Sequence, residues 1–324
     1  MVGKKRIEWV DIAKGIAILL MVIGHEVPSG LLYVFIFSFH MPLFFIISGY
    51  TSRKTKTWKV IIQKSKKMFK RIWLLASLMV ILLGLETLIL NQVSMTKMVA
   101  NDIHGIFIGA NTVPNVSVMW FLFVFFWSKL LFDILQVLFP NQYNGMILGV
   151  LALFGYIVSR HIWLPQDFDL VPIAAFFMWV GSYWREINDT VDNNSMAYKG
   201  GLLGLFILWI YCIQHGLSIE MALRHFPNFI LCLLEAVAGT IIISYISKAF
   251  STKKFFNSIK LVGKHTLAVL CIHHLDLYWI LWGKYMPTWE IATLSRLLVD
   301  VTILVMYVII LHYFQKMKFT NWVK

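Results

Sequence analysis

Long apolar segments, separated by polar connections, dominate this chain. Hydrophobic residues make up 59% of its 324 residues, and charged residues make up only 14%, well below the ~25% that is usual in soluble domains. An apolar run of roughly 17–25 residues is long enough to cross a bilayer as a helix. Ten such runs can be placed, at 10–28, 31–50, 72–91, 118–138, 146–163, 169–185, 200–217, 227–248, 265–283 and 292–313. The sequence therefore predicts an all-α polytopic membrane protein with about ten transmembrane helices.

The distribution of basic residues orients these predicted spans. If the N-terminus lies inside, the inner connections hold 22 of the 29 Lys and Arg residues and the outer connections hold 5. An excess of Lys and Arg on the cytoplasmic side is the usual pattern of membrane proteins. We therefore predict that both termini are cytoplasmic.

The net charge of +13 is mostly explained by this topology, with attraction to anionic membrane lipid as a secondary effect. We expect no nucleic-acid partner. The three cysteines, Cys212, Cys232 and Cys271, lie far apart in apolar segments without metal or redox spacing. We expect them to be small buried hydrophobic residues, and we expect no metal cofactor.

The first predicted span carries three aligned polar residues. Lys14 and His25 are eleven residues apart, which returns to within roughly 20° of the same helix face with a rise of about 16 Å. Asp11 falls on the same stripe. Ionisable side chains at membrane depth are costly and point to a functional site. The structural alternative is that Lys14 snorkels to the inner interface and His25 bonds a neighbouring helix.

Polar residues within the predicted spans are sorted by charge. Histidines and carboxylates lie in the middle or outer parts of the spans, whereas cations lie on the inner half. This polarity suggests a cavity that holds a polyanion at its inner end and transfers a proton near its middle. A proton-coupled transporter of a small molecule is the competing interpretation, because it would also bury His and acidic residues. The histidines and carboxylates are His25, Glu26, His40, Glu86, Glu235, His273, His274, Asp276 and Asp300.

Two connections are long. The predicted outer connection, 92–117, either covers a site or is a disordered surface loop. The predicted inner connection, 51–71, holds nine cations and is compatible with an amphipathic helix at the membrane surface.

Several motifs resemble those of the acyltransferase family 3 membrane proteins. A basic residue and a histidine separated by ten residues open the first helix in that family. A His-Met-Pro run ending in Ser-Gly marks its second helix, and a Gly-Lys-x-Thr-Leu segment followed by His comes late in the chain. Here Lys replaces Arg at part of the family's arginine cluster. The matching residues are Arg6, Asp11, Lys14, Gly15 and His25; the run 37–50; Lys67, Lys70 and Arg71; Trp120-Phe121-Leu122; 263–267; and 272–274.

The resemblance implies a single integral-membrane acyltransferase domain over 1–324. It implies transfer of an acyl group, usually acetyl, from cytoplasmic acyl-CoA to an acceptor at the outer face. The most similar subgroup is that of the fucose 4-O-acetylase-like and capsular or exopolysaccharide O-acetyltransferases. The expected donor is acetyl-CoA, and the expected acceptor is a cell-surface polysaccharide or its lipid-linked precursor.

The resemblance also implies roles for individual residues. His25 would take the acceptor proton or carry the acyl group. Glu235 or Glu86 would orient His25, and His40 or a backbone amide near Ser48 would stabilise the oxyanion. The CoA phosphates would bind to inner cations drawn from Lys14, Lys67, Lys70, Arg71, Lys129 and Arg185.

Overall fold

The fold is described here by a computed structural model. It describes residues 6–90, 92–109, 115–139, 141–192, 195–279 and 282–322. Within these residues the structure is α-helical and has no β-strand, which confirms the predicted all-α class. Its helices are α1 (Glu8–Gly24), α2 (Leu31–Phe37), α3 (His40–Thr51), α4 (Trp58–Met68), α5 (Leu74–Ile89), α6 (Met95–Phe107), α7 (Trp120–Leu138), α8 (Asn141–Ser159), α9 (Val171–Thr190), α10 (Met196–Gln214), α11 (Phe229–Ala249), α12 (Asn257–Lys264), α13 (Thr266–Trp279), α14 (Trp282–Tyr285) and α15 (Trp289–Trp322).

Six helical segments of the described chain are long and apolar enough to cross a membrane. A seventh is added if α12 and α13, bent by 69° at their junction, form one broken span. Each of the ten predicted runs coincides with a described helix or helix pair, but the count of ten spans stays a prediction. The six segments are Leu31–Thr51, Trp58–Ile89, Ser117–Leu138, Met196–Gln214, Phe229–Ala249 and Trp289–Phe314.

The chain divides into two compact units. The first comprises Met1–Pro28 and Ser247–Lys324, and the second comprises Ser29–Ile246. In the first unit α1 packs on α12, α13 and α15, and in the second α9 packs on α3, α7 and α8. The first unit therefore brings the N-terminal helix against helices more than 200 residues away in sequence.

A glycine pair permits the close crossing of α1 and α12 in the first unit. A Cβ atom at Gly15 would collide with the carbonyl oxygen of Ile259, and one at Gly263 would collide with the carbonyl oxygen of Asp11. Small residues allow helix backbones to approach this closely in membrane proteins. The glycines of two of the sequence motifs are thus explained by packing.

A second glycine pair joins α3 and α9 in the second unit. A Cβ atom at Gly49 would collide with the carbonyl oxygen of Met178, and one at Gly181 would collide with that of Ile46. Gly49 therefore has a packing role, and Ser48 beside it accepts a hydrogen bond at its carbonyl from the Ser52 hydroxyl at 2.6 Å.

Both long connections contain helix. In the inner one α4 runs through a π-helical turn (Phe69–Trp73) into α5, which agrees with the predicted helical character. In the outer one α6 packs on α5, so disorder does not describe residues 95–107. Residues 110–114 of this connection lie outside the described part of the chain.

Candidate active site

His25 lies immediately after the last turn of α1 and is exposed. Its imidazole faces the imidazole of His273 on α13, with ring centroids 5.0 Å apart and planes inclined by 41°. Both histidines belong to the first unit. The fold therefore gives His25 an imidazole neighbour from a helix that is remote in sequence.

Behind His273 lies a carboxylate. Nδ1 of His273 is 3.5 Å from Oδ2 of Asp300 on α15, and the two side chains are only 0% and 2% exposed. Within the described residues, neither ring nitrogen of His273 and neither carboxylate oxygen of Asp300 has a hydrogen-bond partner. His25, His273 and Asp300 thus form a series that runs from an exposed imidazole to a buried carboxylate.

Arg296 binds two other carboxylates beside this series. Its Nη1 donates to Oε1 of Glu26, and its Nε donates to Oδ2 of Asp276 at 2.7 Å. The indole of Trp282 also donates to both oxygens of Asp276, at 3.1 Å. A buried guanidinium needs such partners. Arg296 has two carboxylates as partners, Glu26 and Asp276, in addition to any effect of nearby Asp300. Glu26, in the turn after α1, therefore faces Arg296.

The cluster does not have the character of a metal centre. His273, Asp276 and Asp300 could place ligand atoms within 4.8 Å of one another. However, both oxygens of Asp276 already accept hydrogen bonds from Trp282, and the guanidinium of Arg296 would lie next to any bound cation. Without Asp276, one imidazole and one carboxylate remain, fewer than protein metal sites ordinarily use.

Lys14 lies on α1, in the half of the helix remote from His25. Its Nζ is 3.5 Å from Oδ1 of Asp11. The same carboxylate accepts hydrogen bonds from Nε and Nη2 of Arg6 at 2.6 and 3.1 Å. Asp11 is buried, whereas Lys14 is partly exposed. Two cations on one carboxylate leave a net positive charge at this end of α1.

The predicted cations on the inner connection are grouped on one helix of the second unit. Lys67 lies in the last turn of α4, and Lys70 and Arg71 lie in the π-helical turn that follows. All three are exposed. Isolated π-helical turns are frequent at functional sites, so this segment offers accessible positive charge to a polyanion.

The other two predicted cations are engaged locally. Nζ of Lys129 is 2.5 Å from Oδ1 of Asp133, and this carboxylate also accepts a hydrogen bond from the Thr55 hydroxyl at 2.9 Å. Arg185 donates to the carbonyl of Ser52 at 3.4 Å and lies 3.7 Å from Asp189. Lys129 is buried and Arg185 is half-buried, so Lys129 offers little charge to a ligand.

His40 begins α3 and is buried. Its Nδ1 lies 2.8 Å from the carbonyl oxygen of Ile36. Because a carbonyl only accepts hydrogen bonds, Nδ1 carries a proton, and Nε2 of the neutral ring is then an acceptor. His40 could donate to an oxyanion through Nε2 only in its protonated form.

Glu235 lies on α11 in the second unit and is fully buried. Within the described residues, neither of its carboxylate oxygens has a hydrogen-bond partner. His25 belongs to the other unit, so the orientation of His25 by Glu235 stays a prediction. Glu86 is half-buried on α5, in the same unit as Glu235.

The predicted site residues omitted the closest partners of His25. His273 and Asp300 stood out as ionisable residues within apolar runs, but their sequence positions gave no sign of mutual contact. Arg296 and Asp300 lie one helical turn apart, and this spacing indicated in the sequence that the two side chains are neighbours. The contacts of Arg296 with Glu26 and Asp276, and of Asp300 with His273, could be found only in the packed fold.

Comparison with known proteins gives one match. The family model described as an acyltransferase domain, Acyl_transf_3, matches residues 7–316, which is nearly the whole chain. No curated protein and no solved structure matches the sequence.

Proposed function

This chain belongs to acyltransferase family 3, and on that basis we propose that it is an acetyl-CoA-dependent O-acetyltransferase of the cell membrane. The family implies acyl transfer by a membrane protein, in agreement with the all-α fold and its apolar helices. In our proposal, cytoplasmic acetyl-CoA is the donor. The acceptor is a hydroxyl group of a cell-surface polysaccharide or of its lipid-linked precursor.

His25 is the proposed catalytic residue. It is exposed at the end of α1 while its neighbour His273 is buried, so a substrate can reach His25. Acting as a general base, His25 removes the proton from the acceptor hydroxyl as the oxygen attacks the thioester carbonyl. A variant of this scheme has His25 carry the acetyl group as an intermediate. The exposed imidazole, within a family of acyltransferases, is the observation that carries the proposal.

The proposed donor site uses the accessible cations. Lys14 shares Asp11 with Arg6 and keeps a net positive charge nearby. Exposed Lys67, Lys70 and Arg71 are further candidates for the CoA phosphates, because charge-assisted contacts to phosphate are strong. We rank Lys129 and Arg185 below these four, since local partners engage both.

The dimensions of α1 are consistent with this arrangement. Eleven residues separate Lys14 and His25, a rise of about 16 Å along a helix. This rise is comparable to the length of a pantetheine arm. A thioester could therefore reach His25 while its phosphates stay near Lys14.

The competing candidate is a proton-coupled transporter. The observation that favours it is the cluster of buried Asp276, Asp300, His273 and Arg296 with partly buried Glu26, because buried carboxylates and histidines also carry protons in transporters. A transporter would bind no CoA, and its transport would depend on His25 and Glu235 together.

Two measurements test the proposal. Calorimetry of the detergent-solubilised protein with CoA should show binding, and absence of binding at millimolar CoA would contradict an acyltransferase. O-acetyl content of the host's surface glycan should fall in a deletion strain and be restored by the wild-type chain but not by His25→Ala. A folded, membrane-inserted His25→Ala protein that acetylates at the wild-type rate would overturn the role of His25.

A further inference from the structure

The buried pair behind His25 has no role in the function proposed so far. We propose that Asp300, acting through His273, fixes the tautomer of His25 so that its reacting nitrogen carries no proton before acyl transfer. This inference rests on the proposed function, in which His25 is the base. It makes His273 and Asp300 positioning residues, because only His25 is exposed to substrate.

Asp300 has unused capacity to accept a hydrogen bond. Arg296 lies one turn away on α15, but its Nη1 donates to Glu26 and its Nε donates to Asp276. Neither oxygen of Asp300 accepts a hydrogen bond from any described residue. Desolvating a carboxylate without such a bond is costly. The N–H at Nδ1 of His273, with that nitrogen 3.5 Å from Oδ2, is the donor that the geometry supplies.

The tautomer of each ring follows from this hydrogen bond. When Nδ1 of His273 carries its proton toward Asp300, Nε2 of the neutral ring is left as an acceptor. That acceptor takes an N–H from His25, whose ring is 5.0 Å away centroid to centroid. The other nitrogen of His25 then has a free lone pair. A second group that sets the tautomer of a working histidine is a common device in proteins.

The 3.5 Å between Nδ1 of His273 and Oδ2 of Asp300 is longer than a tight hydrogen bond. Such contacts are often long in enzymes without substrate and shorten when substrate binds. We therefore expect the contact between His273 and Asp300 to tighten during turnover.

No proton has to be transferred to or from His273 and Asp300 during the reaction. The acceptor oxygen attacks the thioester carbon, and its proton moves to the free nitrogen of His25. The C–O bond forms, the C–S bond breaks, and His25 returns the proton to the leaving sulfur, so that CoA departs as the thiol. His273 and Asp300 hold the same protons before and after the reaction.

The central test is Asp300→Asn, a substitution of nearly the same shape. The Asn amide can donate to Nδ1 of His273, which moves the proton to Nε2 and reverses the hydrogen bond toward His25. The assay measures release of free CoA from acetyl-CoA by the full-length protein in nanodiscs, with surface polysaccharide extracted from the deletion strain. We expect kcat to fall by about a hundredfold or more, by analogy with tautomer-reversing substitutions in catalytic triads. KM for acetyl-CoA should stay unchanged.

The matched control is Glu290→Gln, the same carboxylate-to-amide change at an exposed position in the first turn of α15. Its kcat should remain near that of the wild type. Asp300→Asn with kcat within about threefold of wild type would overturn the proposal.

A second variant separates positioning from a general loss of packing. His273→Gln should lose about as much kcat as Asp300→Asn, and the double variant should lose little more, because residues that act as a unit are not additive. Losses that multiply in the double variant would overturn the proposal.

The tautomer of His273 can also be measured in the wild-type protein, so this test does not depend on whether the Asp300 variants fold. Nitrogen-15 NMR of labelled histidines should show His273 protonated at Nδ1, and protonation at Nε2 alone would overturn the proposal. Failure of the proposed function has a different signature, since the wild type itself would then release no CoA.

Discussion

The ammonium of Lys129 lies 2.5 Å from the carboxylate of Asp133, one turn further along α7, and both side chains are buried. Lys64 approaches the same carboxylate to 3.9 Å. The pair accounts for a cation inside an otherwise apolar helix. We expect this ion pair to contribute to the free energy of unfolding.

We expect Lys129→Met to destabilise the protein by about 2–4 kcal/mol, because the buried carboxylate of Asp133 loses its nearest cation and keeps only the more distant Lys64. The double variant Lys129→Met with Asp133→Leu should recover much of this loss. Equilibrium unfolding in detergent measures both effects. A single variant as stable as the wild type would show that the pair contributes nothing.

The accessible cations are expected to act on the donor. Lys14→Ala and Arg71→Ala should each raise KM for acetyl-CoA roughly ten- to a hundredfold, since a charge-assisted contact is worth about 1.5–3 kcal/mol. Glycan affinity should change little. Lys97→Ala, which removes an exposed cation from α6, is the control and should leave KM unchanged. Equal losses for both substrates would assign Lys14 and Arg71 a structural role instead.

Topology is tested by labelling. The charge distribution predicts that residues 51–71 face the cytoplasm. A cysteine introduced at Lys56, an exposed position before α4, should react with a membrane-impermeant maleimide only after the cells are opened. A cysteine at Lys97 should react in intact cells. Labelling of the first site from outside would reverse the predicted orientation.

The pH dependence of stability is expected to involve Asp167, in the connection between α8 and α9. Burial raises the pKa of its carboxyl to about 6, although Arg224 donates to it and opposes the shift. The ordinary value is 3.8, so the folded state binds this proton more tightly than the unfolded state. The resulting stabilisation is complete below about pH 3.8 and is lost as the pH rises through about 6.

Asp167→Asn should remove this dependence. The difference in Tm between the variant and the wild type should therefore change between about pH 4 and 6 and be constant above that range. Asp189→Asn, at an exposed carboxylate, is the control. A Tm difference for Asp167→Asn that does not vary across this range would contradict the expected pKa.

The sequence by itself determined the class of this protein and part of its candidate site. Apolar runs of bilayer length require helices, because backbone groups cannot remain unpaired in lipid. The placement of Lys14 and His25 on one stretch of helix follows from a local period of 3.6 residues per turn. Both properties depend only on residues that are near in sequence, so both could be predicted.

Only the tertiary structure decided which partners these residues have. The contact of His25 with His273 joins positions 248 residues apart, and the carboxylate partners of Arg296 lie just after α1 and on α13. Such contacts depend on how helices cross, which is set by close approaches such as that between Gly15 and Ile259. The charge of each side chain and its depth in the membrane can be predicted from the sequence. Which buried charges pair with one another is decided by helix packing.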